Sequence, residues 1–158
     1  MEPMRMEDLV PLICEVINSG SEFRLYPRGK SMLPTIVEGR DSVMLALPGE
    51  LKVMDAVLYR RGNGQYVLHR IVACHAASLD MCGDNQTAIE KNVPRSAVIA
   101  KVTGIFKGDR FIPADDPLLQ KGLRKLYAKK PAQRFLHAVK RAVYPLYRRL
   151  FRRNKPNG

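Results

Sequence analysis

The stretch DAVLYRRGNGQYVLHRIV, Asp55 to Val72, decides the fold. Two runs rich in apolar and β-branched residues, Asp55 to Arg60 and Gln65 to Ala73, flank Arg61-Gly62-Asn63-Gly64. An Asn-Gly pair takes positive φ cheaply, so the stretch predicts a β-hairpin. In the second run, period-two alternation puts Tyr66, Leu68, Arg70 and Val72 on one face and Val67, His69, Ile71 and Ala73 on the other. His69 therefore shares an apolar face, where burial disfavours the imidazolium and keeps a neutral base.

Working outward, further short strands are expected at Phe23 to Tyr26, Ser42 to Leu47, Leu79 to Cys82 and Val98 to Phe106. Turn-formers punctuate them at Pro48-Gly49, Gly83-Asp84-Asn85 and Gly108-Asp109. Closely spaced strands of this kind predict a mainly β, mainly antiparallel domain, of the size of a small barrel. Helical period appears at Asp8 to Ile17, stopped by Asn18-Ser19-Gly20, and again after Asp116. Pro117 to Lys129 and Pro131 to Arg152 each open on a proline suited to a first helical turn, and Pro145 predicts a bend or two shorter segments in the second. The chain thus divides into an N-terminal helical segment (1–22), a β domain (23–116) and a basic helical tail (117–158).

At 158 residues, 46% of them hydrophobic, the chain can bury one core. Its net charge of +12 is unevenly placed. Residues 1–116 hold 14 Lys and Arg against all 15 Asp and Glu, whereas residues 117–158 hold 13 basic residues and no acid. Three cysteines without a C-x-x-C pair suggest neither a disulfide framework nor a zinc ribbon, and fit a reducing compartment. The N-terminus is acidic where a secretory signal is basic, and the apolar run Leu9 to Cys14 is too short for a span. The spacing His69-x4-Cys74-His75-x6-Cys82 fits no usual zinc pattern, and strand alternation points Cys74 away from His69. No metal and no cofactor are expected.

Chemistry enters with SMLPT, Ser31 to Thr35. Gly29 permits a close backbone approach and Pro34 restricts Leu33, so the run reads as a fixed turn exposing one hydroxyl. The order is then serine, strand histidine, and the glycine-flanked Asp84 of Gly83-Asp84-Asn85, with Glu90 six residues beyond. Either carboxylate is able to orient His69, as the acid of a triad does. Asp84 and Asn85 also suit a plain Asx-turn, and Asp84 suits a charge-assisted clamp with Arg70.

An SMxPT serine, a strand ending in His-Arg plus an aliphatic residue, and GDN, in that order, together resemble the type I signal peptidase and LexA-like superfamily of serine peptidases. The resemblance covers about residues 23 to 112, and is nearest to small bacterial members without a membrane anchor. It implies a partly coiled β-barrel with a short N-terminal helix and basic C-terminal helices. By the same resemblance Ser31 is the nucleophile of a serine endopeptidase, and its own N–H serves the oxyanion hole. His69 stands where many members place a lysine base, a Ser-His arrangement similar to the endoplasmic-reticulum and archaeal type. Glu90 lies near the position of that branch's aspartate. Gly29, Met32 and Arg70 are positioning residues. Gly29 replaces a hydroxyl residue that assists the oxyanion in many relatives, and losing such a donor costs about 3 kcal/mol in the transition state.

The implied substrate is an extended leader, signal or precursor peptide, cut after small residues. A noncatalytic peptide-binding or regulatory module of the same fold is the alternative. A self-cleaving repressor is disfavoured, because 22 residues are too few for a helix-turn-helix domain and the chain has no Ala-Gly dipeptide. In the tail, Phe135, Leu136, Val139, Val143, Leu146, Tyr147 and Leu150 form an apolar stripe, with Lys140, Arg141, Arg148, Arg149, Arg152 and Arg153 largely elsewhere. This stripe (within residues 131–158) suits either packing on the β domain or an anionic membrane surface. Nucleic acid is disfavoured, since no recognised binding module is legible. The expected location is cytoplasmic, with peripheral attachment to the inner leaflet if the tail docks.

Overall fold

The computed structural model describes residues 4–151. In chain order its elements are α1 (Met6–Asn18), β1 (Phe23–Leu25), β2 (Asp41–Ala46), β3 (Ala56–Arg60), β4 (Tyr66–Cys74), β5 (Ser78–Cys82), β6 (Glu90–Pro94), a 3-10 turn at Arg95–Ala97, β7 (Val98–Lys107), β8 (Arg110–Pro113), α2 (Pro117–Ala128) and α3 (Lys130–Phe151). The fold is mainly β. All eight strands join one antiparallel sheet, ordered β1-β2-β7-β3-β4-β5-β6 with β8 paired to β7.

The expected hairpin is β3–β4, in register Val57 to His69 and Tyr59 to Val67. Its turn differs in detail from an Asn-Gly turn with two positive φ values. Only Gly64 is left-handed, at φ +89°, while Asn63 keeps a negative φ and accepts the Gln65 N–H on its side-chain oxygen at 3.1 Å. Alternation along the hairpin feeds two apolar clusters. Leu58 and Leu68 join Val43, Leu45, Val102 and Ile105 on one face; Val57, Tyr59 and Ile71 join Leu79, Met81 and Val93 on the other. Helix α1 belongs to the first cluster, because Val10, Ile13 and Ile17 recur at helical spacing and are buried.

Two strands, β6 and β8, go beyond the sequence reading. β6 opens with Glu-Lys-Asn, ends in proline and lies at the sheet edge, so it lacks the apolar alternation of a half-buried strand. β8 is four residues long and pairs with β7 across the Gly108-Asp109 turn. Strand alternation also fails at Cys74. A bulge between Ile71 and Ala73 returns Cys74 to the Ile71 side, packed against that cluster, which corrects the expectation that it points opposite to His69.

The tail is rooted in the body. Asp116 caps α2 by accepting the Leu119 N–H at 2.9 Å, Leu123 is buried, and the Tyr127 hydroxyl donates to Asp84 at 2.7 Å. Lys130, the first residue of α3, is 2% exposed; its ammonium donates to the Gly83 carbonyl at 2.6 Å and lies 3.8 Å from the Tyr127 ring centre. α3 then runs as one helix through Pro145, not as two segments. Proline removes one donor, and both Pro145 and Arg141, whose carbonyl loses its partner, are exposed so that water can replace it. Phe135, Leu136, Val139 and Val143 are exposed, so this part of the stripe does not pack on the β domain. Leu146, Tyr147 and Leu150 lie outside the residues whose side chains are described. Among the described residues no helix is long and apolar enough to cross a membrane.

One buried ion pair fastens these parts together. The Arg70 guanidinium meets Asp84 through two bonds of 2.9 and 2.8 Å and donates a third to the Met54 carbonyl at 2.8 Å. Burial alone pushes the Asp84 carboxyl up, but Arg70, with the Thr35 and Tyr127 hydroxyls, holds it below the usual carboxylate range. Removing one partner of such a pair strands the other charge. Asp84→Asn is expected to lower unfolding stability in urea by about 3–5 kcal/mol; a loss under about 1 kcal/mol would show that the pair is not the fastening.

Candidate active site

SMLPT forms a turn between β1 and β2, entered through Gly29 at φ +88° and carrying a cis Leu33–Pro34 bond. An added Cβ at Gly29 meets nothing within 4 Å, so its backbone conformation, not crowding, calls for glycine. The Gly29 N–H donates to Glu38 at 3.0 Å, and buried Met32 plugs the turn into the first cluster. From the other side, the Asn85 N–H donates to the Ser31 carbonyl at 2.8 Å. A Cβ on Gly83 would lie 2.7 Å from that same oxygen. Glycine is therefore required where the GDN turn presses on the serine backbone.

Ser31 and His69, nearly 40 residues apart in sequence, line one cleft of about 230 Å³ together with Gly29, Met32, Tyr66 and Gln86. No hydrogen bond joins the two side chains. His69, with Arg61 and Gln86, also lines an adjoining, more open pocket of about 680 Å³ that includes Asn85, Thr87 and Glu90.

The ring is 2% exposed. Burial, reinforced by the Arg61 guanidinium and opposed by Glu90 and Asp84, pulls its pKa down to about 4. It is neutral at physiological pH, and its tautomer follows from a chain of partners. The Tyr59 hydroxyl donates its single proton to Glu90 at 2.7 Å and lies 3.3 Å from His69 Nδ1. With that proton committed, the tyrosine oxygen can only accept from histidine, so Nδ1 carries the hydrogen. Nε2 is left with a lone pair. It has no protein partner, and no buried side-chain nitrogen or oxygen among the described residues lacks one, so Nε2 opens onto solvent-accessible space. Arg61 holds Glu90 in place through a 2.8 Å ion pair.

Neither carboxylate considered for the acid touches His69. Asp84 is occupied by Arg70, and Glu90 reaches the ring only through Tyr59. Sequence reasoning missed Tyr59, although the signal was present: the hairpin register sets Val57 opposite His69, which places Tyr59 two residues along on the same face. Burial first, then the Glu90 acceptor, raise the Tyr59 pKa far above its ordinary value, so the phenol keeps its proton. Among the described residues no three His, Cys, Asp or Glu side chains converge as metal ligands would. A hydroxyl and a neutral imidazole on one cleft are components of nucleophilic acyl transfer. The chain matches no family model, no curated protein and no solved structure at a significant level.

Nitrogen-detected NMR should find His69 as the Nδ1–H tautomer, titrating near pH 4, and Tyr59→Phe should mix the tautomers. An Nε2–H ring in the intact protein would refute the chain of partners. The folded pKa lies below the unfolded value of about 6.5. The unfolded chain therefore binds the proton first, so this contribution to stability is complete above about pH 6.5 and is lost as pH falls toward 4. In thermal melts across that window, His69→Gln should lose less stability with acidification than the parent.

Proposed function

We propose that this chain is a serine endopeptidase of the signal-peptidase and LexA-like type, acting on an extended leader, signal or precursor peptide. The observation that carries the reading is the shared cleft: Ser31 and a neutral histidine with its unprotonated nitrogen open to solvent, its other nitrogen held by Tyr59 and, beyond it, Glu90. As the Ser31 oxygen attacks the peptide carbonyl, His69 Nε2 takes the hydroxyl proton. It returns that proton to the leaving amine, and the acyl group stays on Ser31. Water then attacks the ester, giving a proton to Nε2 and restoring serine on release of the acid. The imidazolium formed in each step gains its stabilisation from Glu90 through Tyr59.

Tyr59 and Glu90 thus share the duty given to one acid in a triad. The Ser31 N–H is the backbone donor for the developing oxyanion, and Gly29 adds no hydroxyl beside it. The antiparallel sheet and the SMLPT turn held by GDN support the partly coiled β-barrel implied by the resemblance. Three free cysteines are in keeping with a reducing, cytoplasmic setting. One observation favours the second reading, a noncatalytic peptide-binding module: Ser31 and His69 form no hydrogen bond. Catalytic hydrogen bonds are commonly long until substrate closes the site, which leaves the peptidase reading ahead.

A fluorophosphonate probe is expected to label the parent on Ser31 and to leave Ser31→Ala unmodified. In a peptide-library cleavage assay His69→Ala should reduce kcat/KM by about 100-fold or more. Tyr59→Phe should lower kcat by about tenfold to 100-fold with KM nearly unchanged. No label and no cleavage, with peptide binding retained, would overturn the peptidase reading in favour of the binding module.

A further inference from the structure

We infer that the outward face of α3 docks on an anionic membrane surface. At 3.6 residues per turn, Phe135, Leu136, Val139 and Val143 fall within an arc of about 100°. They are 72, 51, 40 and 54% exposed. Lys130 and Arg134 project about 180° from the middle of that arc. Both face the body: Lys130 donates to the Gly83 carbonyl and Arg134 to the Thr87 carbonyl. The body thus covers the side of α3 opposite the stripe at the helix's first turns, and leaves the stripe itself bare.

Charge selects the occupant. Residues 117–158 contain 13 basic residues and no acid, and Lys140, Arg141 and Arg148 are exposed along α3. Cations on the polar face with aromatic and aliphatic residues on the other are the composition of a helix lying in a lipid interface, drawn by anionic headgroups and held by apolar burial. A second copy of the chain fits poorly, because it would cover the stripe yet bring no counter-charge to a tail that holds 13 basic residues and no carboxylate. Nucleic acid would satisfy the cations but gives Leu136, Val139 and Val143 nothing apolar to enter. Since α3 starts on the GDN turn that supports Ser31, a docked helix tethers the body that carries the Ser31–His69 cleft to the lipid surface.

The test is sedimentation of the full chain with vesicles of equimolar phosphatidylglycerol and phosphatidylcholine, against phosphatidylcholine alone, at physiological salt. Binding is expected only with phosphatidylglycerol present. The exposed double substitution Phe135→Ser with Val139→Ser should weaken it by about tenfold or more while the thermal midpoint is unchanged. Lys140→Glu with Arg141→Glu should weaken it as well. Ser31→Ala should bind like the parent, which separates this inference from the peptidase reading. Failure of the parent to sediment with anionic vesicles would overturn it, as would unchanged vesicle binding by the Phe135→Ser, Val139→Ser variant. Loss of a concentration-dependent dimer in that variant, in place of lost vesicle binding, would overturn it too. So would a parent that binds a duplex oligonucleotide and not the vesicles.

Discussion

Arg70 and Asp84 are both almost fully buried, and taking two such charges out of water costs several kcal/mol for each ion. Only nearly complete hydrogen bonding offsets that cost, and here it is met by partners from separate parts of the chain. Asp84 receives Arg70 from β4, Thr35 from the SMLPT turn and Tyr127 from α2, while Arg70 gives a third bond to the Met54 carbonyl before β3. If any of these segments slipped, a buried charge would lose a partner. The pair therefore acts as a register pin more than as a source of net stability. What it registers is the GDN turn against the Ser31 carbonyl.

The same strand carries both halves of the arrangement because its side chains alternate. Arg70 faces the clamp and His69, one residue earlier, faces the cleft. This proximity would be awkward if either charge near the histidine stood alone. Arg61 and Lys130 lower its pKa, whereas Glu90 and Asp84 raise it. Arg61 is offset by its ion-pair partner Glu90, and Lys130 by the Arg70-paired Asp84, so burial dominates. A neutral imidazole is the outcome of balanced ion pairs around a desolvated ring. Its orientation is a separate matter, settled by the single proton of Tyr59.

What could be read from residues alone was local. The β3–β4 hairpin, the glycine-entered SMLPT turn and the Arg70–Asp84 clamp depend on alternation, turn chemistry and charge pairing within short stretches. Tyr59 escaped because recognising it needs the strand register as well as the face. β6 escaped because an edge strand with Glu90, Lys91 and Asn92 shows no apolar alternation. Glu90 was noticed for its distance along the chain from Asp84, yet its link to His69 runs through a residue 31 positions earlier. Asn85 matters here through its backbone N–H, which no residue-type reading can assign.

The boundary drawn at residue 116 from charge is a boundary in composition, and the packing crosses it. Tyr127, Lys130 and Arg134 reach from the cationic tail to Asp84, Gly83 and Thr87, all within or just beyond the turn that supports Ser31. Lysine is ordinarily a solvent-facing residue. Lys130 is tolerated inside because the Gly83 carbonyl and the Tyr127 ring face replace part of its hydration, although burial still lowers its pKa. Inward-directed cations at the root of α3 fix which way the helix faces as it leaves the body. The orientation of the apolar stripe is thus set by the same turn that positions the serine.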